Sequence, residues 1–219
     1  SRSACGGRKQ NSFAVCFHYF YYSIEGCRFS CAGTAGDDGH AAGDGGFDGL
    51  TLLRMESDAF LPLTYRFDRS GLGKSKQVEL DFDWTEKQVL GNDRGEPVRF
   101  PLNRGLMDKS TYQLVLQHDV AAGKQSVSYQ VIDGDEIETY DFRVLGEERV
   151  RTKAGLIDAI KVERVRDPTQ SSRKTVLWFA KDWNYLLVRL HQVEKDGKEY
   201  QIMLKDGQVD GRTVKGLAE

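Results

Sequence analysis

Short runs in which apolar and polar residues alternate recur along most of the chain and predict an antiparallel β protein. From Leu61 to Phe67 every second residue is apolar or aromatic, which is the period of a strand with one buried face. The run from Val78 to Trp84 repeats this pattern after a glycine-containing turn, so the two runs predict a hairpin. Residues 88–90 and 98–102 predict a second hairpin across the sequence GNDRGE.

The second half of the chain predicts a meander of further strands. Asp133-Gly134 and Asp196-Gly197 are dipeptides that favour tight hairpin turns. Apolar residues occupy both faces of the strand at residues 176–179, which is typical of a strand that is covered on both sides. The other strands are predicted at residues 127–131, 137–145, 148–152, 156–165, 186–190 and 200–204.

One segment, residues 105–123, has the period of a helix instead. Asp108 or Ser110 can cap its first turn, and Gly123 can end it. His118 is expected to lie on its surface, because no nucleophile is suggested as a partner. The apolar face of this helix would contain Tyr112, Val115, Leu116 and Val120.

These patterns together predict a mainly β fold, a curved antiparallel sheet or open barrel with one covering helix. A flat two-sheet sandwich is the alternative. We expect residues 51–207 to form a single β-rich domain and residues 208–219 to form a polar tail. Residues 1–50 differ in kind, because they hold all four cysteines and 10 of the 23 glycines. We expect that segment to be either disordered or not native to the fold.

Charge and hydropathy narrow the classes of function. The net charge is −2, from 31 basic and 33 acidic residues. Because these charges are interspersed and form no basic stripe, we expect no binding to nucleic acid. No run of about 18 apolar residues occurs, so no transmembrane segment is expected. All the cysteines precede residue 32, so a disulfide framework does not hold the β domain together.

The candidates for chemistry are weak. Asp81 and Asp83 share one face of a strand, as two catalytic carboxylates would, but the polar outer face of a half-buried strand has the same pattern. We therefore expect no catalytic residues and no enzyme activity. We also expect no metal and no cofactor, because no common zinc motif matches the spacing of Cys16, His18, Cys27 and Cys31.

A group of aromatic residues is the candidate for ligand binding. Two strand-like runs flank a polar break at residues 181–182, and aromatic side chains cluster around it. They could line an apolar groove between the sheet and the helix, or they could fill the core. The groove candidates are Trp84, Trp178, Phe179, Trp183 and Tyr185.

Several longer motifs resemble a known family over about residues 54–205. They are FLPLTYRF (60–67), FDW (82–84), PLNRGLMDKSTYQL (101–114), YDFRVLGEE (140–148), AGLIDAIKVER (154–164) and TVLWFAKDWNYLLVRL (175–190). The family is a group of exported proteins of Gram-negative bacteria, catalogued as domain of unknown function thirty-one-zero-eight. The resemblance implies a periplasmic, mostly β protein without an established activity.

The expected function follows from this architecture and from the resemblance. We expect an exported, periplasmic β-domain that binds or carries a lipid or another apolar small molecule. The alternative is a structural or protein-interaction module whose partner is an envelope protein. The sequence SFAVCFHYFYYSI after Arg8 and Lys9 is not a convincing signal peptide, because His18 and the absence of leucine interrupt its apolar core.

Overall fold

The structure is a computed structural model that describes residues 12–17, 28–33, 46–56, 59–70 and 75–217. Its strands are numbered in chain order. One sheet has six antiparallel strands. In spatial order they are β1 (Ser12–Phe17), β3 (Gly46–Glu56), β4 (Ala59–Ser70), β5 (Lys76–Asp83), β6 (Gln88–Asp93) and β7 (Glu96–Pro101).

A second sheet has eight strands and curls into a half-barrel. Its last strand runs parallel to its neighbour, so the sheet is mixed, and the other pairs are antiparallel. In spatial order the strands are β2 (Arg28–Gly33), β14 (Glu199–Asp206), β13 (Leu186–Val193), β12 (Lys174–Ala180), β11 (Gly155–Val165), β10 (Glu136–Thr152), β9 (Ser126–Asp133) and β8 (Leu106–Met107).

The predicted mainly β fold with one helix is confirmed, and so are the hairpins that the turn residues indicated. β4 pairs with β5, β6 with β7, β9 with β10 and β13 with β14. The prediction of two separate strands at 137–145 and 148–152 was wrong. The register shifts between Val144 and Gly146, and the positive φ of +124° at Gly146 lets β10 continue through this bulge.

The helix α1 (Thr111–Ala121) begins after a cap that Asp108 supplies. Asp108 Oδ1 accepts hydrogen bonds from the backbone N–H groups of Ser110 at 2.7 Å and Thr111 at 2.9 Å. Ser110 occupies the capping position, but its side chain makes no capping hydrogen bond. Leu116 and Val120 are buried in the larger core cluster. Among the described residues, no helix is long and apolar enough to cross a membrane.

Two apolar clusters form the core. The larger one lies inside the half-barrel, where α1 packs on β9 to β14. The smaller one joins the six-stranded sheet to the end of the half-barrel, because Leu80 and Phe82 of β5 pack with Leu106 of β8 and Ile132 of β9. The edge of the half-barrel therefore faces the six-stranded sheet.

The chain after Gly207, which the sequence predicts as a tail, packs on the core. It forms a short hairpin of β15 (Gln208–Val209) and β16 (Arg212–Thr213). Val209 and Val214 are buried in the larger cluster. The backbone of Leu217 then exchanges two hydrogen bonds with Leu156, at 2.8 and 3.1 Å. Two valines among polar residues were too weak a signal to predict this packing.

Within residues 1–50, the structure describes β1, β2 and the beginning of β3. β1 and β2 form the first edge of each large sheet. Cys16 lies on β1 and Cys31 on β2, so these two belong to different sheets. His18 and Cys27 lie outside the described residues, as does most of the segment considered as a signal peptide.

Candidate functional site

The predicted aromatic candidates lie mainly around a tight turn, which we call the aromatic turn (residues 178–185). Trp178 lies between Lys161 on β11 and Arg189 on β13, which are its cross-strand partners. The Lys161 ammonium and the Arg189 guanidinium lie 5.5 and 4.9 Å from the centre of the Trp178 ring. The indole N–H donates to the carboxylate of Glu148. The ring of this tryptophan thus lies near two cations, and its N–H has a hydrogen-bond partner.

The rest of the aromatic turn is also covered by the chain itself. Phe179 is only 1% exposed, within the larger core cluster. Trp183 and Tyr185 are half-buried against the same cluster. The guanidinium of Arg212, on the C-terminal hairpin, lies 5.2 Å from the centre of the Trp183 ring. Asn184 donates a hydrogen bond of 2.7 Å to Asp210 on that hairpin.

Trp84 lies apart from the aromatic turn. It packs against the smaller core cluster, and its indole N–H donates to the carbonyl oxygen of Pro62 at 2.8 Å. The structure thus brings Trp178, Phe179, Trp183 and Tyr185 together and leaves Trp84 elsewhere. None of these five side chains lines the cavity that the structure contains between its two sheets.

That cavity, the cationic cavity, has a volume of about 380 Å³. It lies between β4 and β5 of the six-stranded sheet and β9 to β13 of the half-barrel, beside the first turn of α1. The cavity lies beside the smaller core cluster, because Tyr65, Val78 and Ile132 belong both to that cluster and to the cavity wall. Apolar and aromatic side chains form much of the wall, including Tyr65, Phe67, Val78, Phe142, Leu177 and Leu190.

The charged residues that line this cavity are mostly basic. Asp133 is the one carboxylate among them. Its side chain forms an ion pair with Lys109 and accepts a hydrogen bond of 2.7 Å from the Tyr140 hydroxyl. The lining cations come from four separate parts of the chain. They are Lys76, Lys109, Arg164, Arg166 and Arg173.

Acidic residues outside the wall neutralise some of these cations. Arg164 pairs with Glu138 at 3.0 Å, and Arg173 pairs with Glu194 at 2.6 Å. Lys76 and Arg166 make no ion pair within the described part of the chain. Arg166 therefore has no acidic partner within the described residues, whereas Lys76 is attracted by Asp93 and Asp133 without forming an ion pair.

The surroundings of Arg166 and Lys76 disfavour their charged forms. Burial, together with the charges of Arg164 and Arg173, lowers the pKa of Arg166 to about 10. Burial also lowers the pKa of Lys76, assisted by the charge of Lys109. Arg166 remains protonated near neutral pH and therefore contributes a positive charge to the cavity wall.

Two polar atoms on residues of the cavity wall are buried without a hydrogen-bond partner in the described portion of the chain. They are the Nε of Arg164 and the Oε1 of Gln113. The Arg164 guanidinium stacks on Tyr140, with its central carbon 3.3 Å from the ring centre, so the side chain is held in place. Buried polar groups normally have partners, but both atoms have almost no accessible surface and therefore do not face the cavity.

Sequence reasoning did not identify the residues of this cavity, although one signal was present. Val162, Arg164 and Arg166 follow one another at a spacing of two, so they lie on the same face of an extended chain. A basic residue in phase with buried apolar residues either faces the interior or needs a partner there. Lys76 carries the same signal, because it precedes the buried Val78 by two residues on β5. Lys109 carries no such signal, since tertiary packing alone brings it to the cavity.

A family model described as "Protein of unknown function (DUF3108)" matches residues 39–205. No curated protein matches the chain. A crystal structure of a β-barrel-like protein of domain of unknown function DUF1849 from Brucella abortus is similar, with a TM-score of 0.47 and 10% identity. That match covers 73% of this chain and 72% of the other.

The family model spans well over half of the sequence, and it includes both strands and helix around the cationic cavity. The resemblance that the motifs indicated is therefore confirmed, and the chain belongs to the DUF3108 family of proteins of unknown function.

Proposed function

We propose that this protein is a periplasmic binding module that holds a lipid or another apolar small molecule in the cationic cavity. The observation that carries the proposal is the cavity itself, about 380 Å³ in volume with aromatic and aliphatic walls. Small-molecule sites usually measure about 300–1,000 Å³ and are lined mainly by such side chains. Strands of two sheets form these walls, so the site is preformed. The periplasmic location rests on the resemblance to an exported family.

We propose binding and not catalysis, because the wall offers a poor general base. Burial raises the pKa of Asp133, but Lys109, the Tyr140 hydroxyl and Lys76 outweigh burial and lower the pKa overall. A carboxylate stabilised in this way accepts a proton less readily, and general bases work best when their pKa lies near the operating pH. Asp133 therefore positions Lys109 and Tyr140 in this proposal.

The test is a titration of the full chain with dodecanoate and dodecanol, each below its micelle concentration, followed by native mass spectrometry and calorimetry. We expect one bound molecule per chain. Val78 lines the cavity, and Val78→Phe fills part of it. This variant should weaken binding of both probes by at least about tenfold, which corresponds to about 1.4 kcal/mol.

The matched control is Val98→Phe, which makes the same change on β7 at a half-buried position outside the cavity. It should bind both probes as the unaltered chain does. Circular dichroism establishes that both variants are folded. Absence of binding by the unaltered chain, or equal binding by Val78→Phe, would overturn the proposal.

A further inference from the structure

We propose that the ligand of the cationic cavity is a single-chain amphiphile with an anionic head, a carboxylate or a phosphate, which Arg166 and Lys76 hold. The inference rests on the proposed function and specifies its ligand class. The apolar chain would lie against Tyr65, Phe67, Leu177 and Leu190, and the head would lie among the cations of the same wall.

The first support is the charge that the protein leaves uncompensated. Arg164, Arg173 and Lys109 form ion pairs, whereas Arg166 forms none in the described ranges of the chain, and Lys76 is attracted by Asp93 and Asp133 without an ion pair. Burying charge without a partner costs free energy, and an anion bound beside these two groups would offset that cost. A neutral ligand would leave these charges without a partner, so the free-energy cost of burying them would remain.

The second support is the hydrogen bonding of Arg166. Its Nη1 donates to the Thr175 hydroxyl at 3.1 Å and to the backbone carbonyl of Arg173 at 3.4 Å. A guanidinium has five N–H donors, and a planar oxyanion can accept two of them in parallel. The other N–H groups of Arg166 have no acceptor within the described residues, so they are free to donate to a bound anion.

The third support is size. At about 380 Å³, the cavity lies near the lower end of the range of small-molecule sites. This volume suits one acyl or alkyl chain better than a lipid with two chains. A ligand that contacts the apolar walls and also places an anion near Arg166 must be an amphiphile. A free inorganic anion meets only the second of these conditions.

The experiment measures the affinity of the full chain for five probes by calorimetry. The probes are dodecanoate, monododecyl phosphate, dodecanol, dodecyltrimethylammonium and inorganic phosphate, with each amphiphile below its micelle concentration. We expect the two anionic amphiphiles to bind at least about tenfold more tightly than dodecanol, since charge-assisted hydrogen bonds are stronger than those of a neutral hydroxyl. Dodecyltrimethylammonium and inorganic phosphate should bind more weakly than dodecanol.

Two variants test where the anionic head group of the ligand binds. Arg166→Gln and Lys76→Gln should each weaken the anionic amphiphiles by about tenfold and leave dodecanol unchanged. The matched control is Arg149→Gln, because Arg149 pairs with Asp158 outside the cavity. That variant should bind every probe as the unaltered chain does.

The outcomes separate this inference from the proposed function. Equal affinity for dodecanol and dodecanoate would overturn the inference and keep the cavity as an apolar site. Inorganic phosphate binding as tightly as monododecyl phosphate would overturn the part of the inference that concerns the chain. Equal losses for dodecanol and dodecanoate in Arg166→Gln would show a structural role and overturn the assignment of Arg166. If no amphiphile binds, both proposals fail.

Discussion

The aromatic turn and the cationic cavity differ in how far their polar and charged groups already have partners within the chain. Around the turn, Trp178 has two cations near its ring and a carboxylate at its N–H, and Arg212 covers Trp183. Beside the cavity, Arg166 and Lys76 form no ion pair within the described residues.

Because of this difference, we expect a ligand to gain more free energy of binding in the cavity than at the aromatic turn. A ligand that approached Trp178 would have to displace Lys161 or Arg189 from its ring, so contacts would be exchanged and few gained. An anion that entered the cavity would meet donors and charges that have no other partner. Unpaired hydrogen-bond donors and charges therefore indicate a binding site better than the presence of aromatic residues does.

The largest change in the free energy of unfolding should come from a substitution in the core beneath the aromatic turn. Phe179 is 1% exposed, so Phe179→Ala should lower the free energy of unfolding by about 3–5 kcal/mol. Urea denaturation measures this change. Dodecanoate binding by the folded variant should change little, because Phe179 does not line the cavity.

Tyr200→Ala is the control for Phe179→Ala, since Tyr200 is an aromatic residue that is 44% exposed. Its cost should stay below about 1 kcal/mol. Equal costs in the two variants would contradict the placement of Phe179 in the core.

The next largest effect should come from the C-terminal hairpin that covers Trp183. A Cβ atom at Gly216 would lie 2.5 Å from the carbonyl oxygen of Leu156, and that oxygen belongs to the backbone. Gly216→Ala should therefore displace the C-terminal segment, at a cost of about 1–3 kcal/mol. Increased quenching of Trp183 fluorescence by acrylamide would report the displacement.

Lys215→Ala, at an exposed neighbouring position, serves as the control. It should leave both stability and quenching as they are in the unaltered chain. A Gly216→Ala variant that behaves like this control would show that the segment does not pack as described.

A smaller effect is expected when the partners of Trp178 are removed. Trp178→Phe deletes the N–H that donates to Glu148 and should cost about 1–2 kcal/mol. A double-mutant cycle with Glu148→Ala, which removes the acceptor, should give a coupling energy of about 1 kcal/mol when measured by urea denaturation. Additive effects in the cycle would contradict this hydrogen bond. Affinity for dodecanoate should not change in either variant.

The smallest effect concerns Asp133 and depends on pH. The folded protein lowers the pKa of this carboxyl below its usual 3.8, so its contribution to stability is present above about pH 4. That contribution is lost as the pH falls through the lower pKa of the folded state. The difference in unfolding free energy between the unaltered chain and Asp133→Asn should therefore shrink from pH 7 to pH 3.

The same Asp133→Asn variant also tests whether the charge of the cavity wall affects ligand binding. Removing a carboxylate from the cavity wall should strengthen binding of dodecanoate, because less negative charge opposes the head. Binding of dodecanol should be unaffected. Weaker binding of dodecanoate in this variant would contradict the positive character of the cavity.

The sequence by itself determined the local structure. Alternation with a period of two located the strands, as from Leu61 to Phe67, because side chains of a half-buried strand must alternate between core and solvent. Asp-Gly pairs located two hairpins, since the glycine of each pair adopts the positive φ of the turn, +75° at Gly134 and +82° at Gly197. The helix was predictable from its apolar period and from Asp108, whose side chain caps its first turn.

Only the tertiary structure decided where the candidate site lies. Lys76, Lys109, Arg166 and Arg173 are distant in sequence and meet because the half-barrel curls against the six-stranded sheet. Strand periods specify which face a side chain occupies, but they do not specify which sheets face each other or where a space remains between them. That outcome depends on long-range packing, which also covers Trp178 and Trp183 with the chain's own cations.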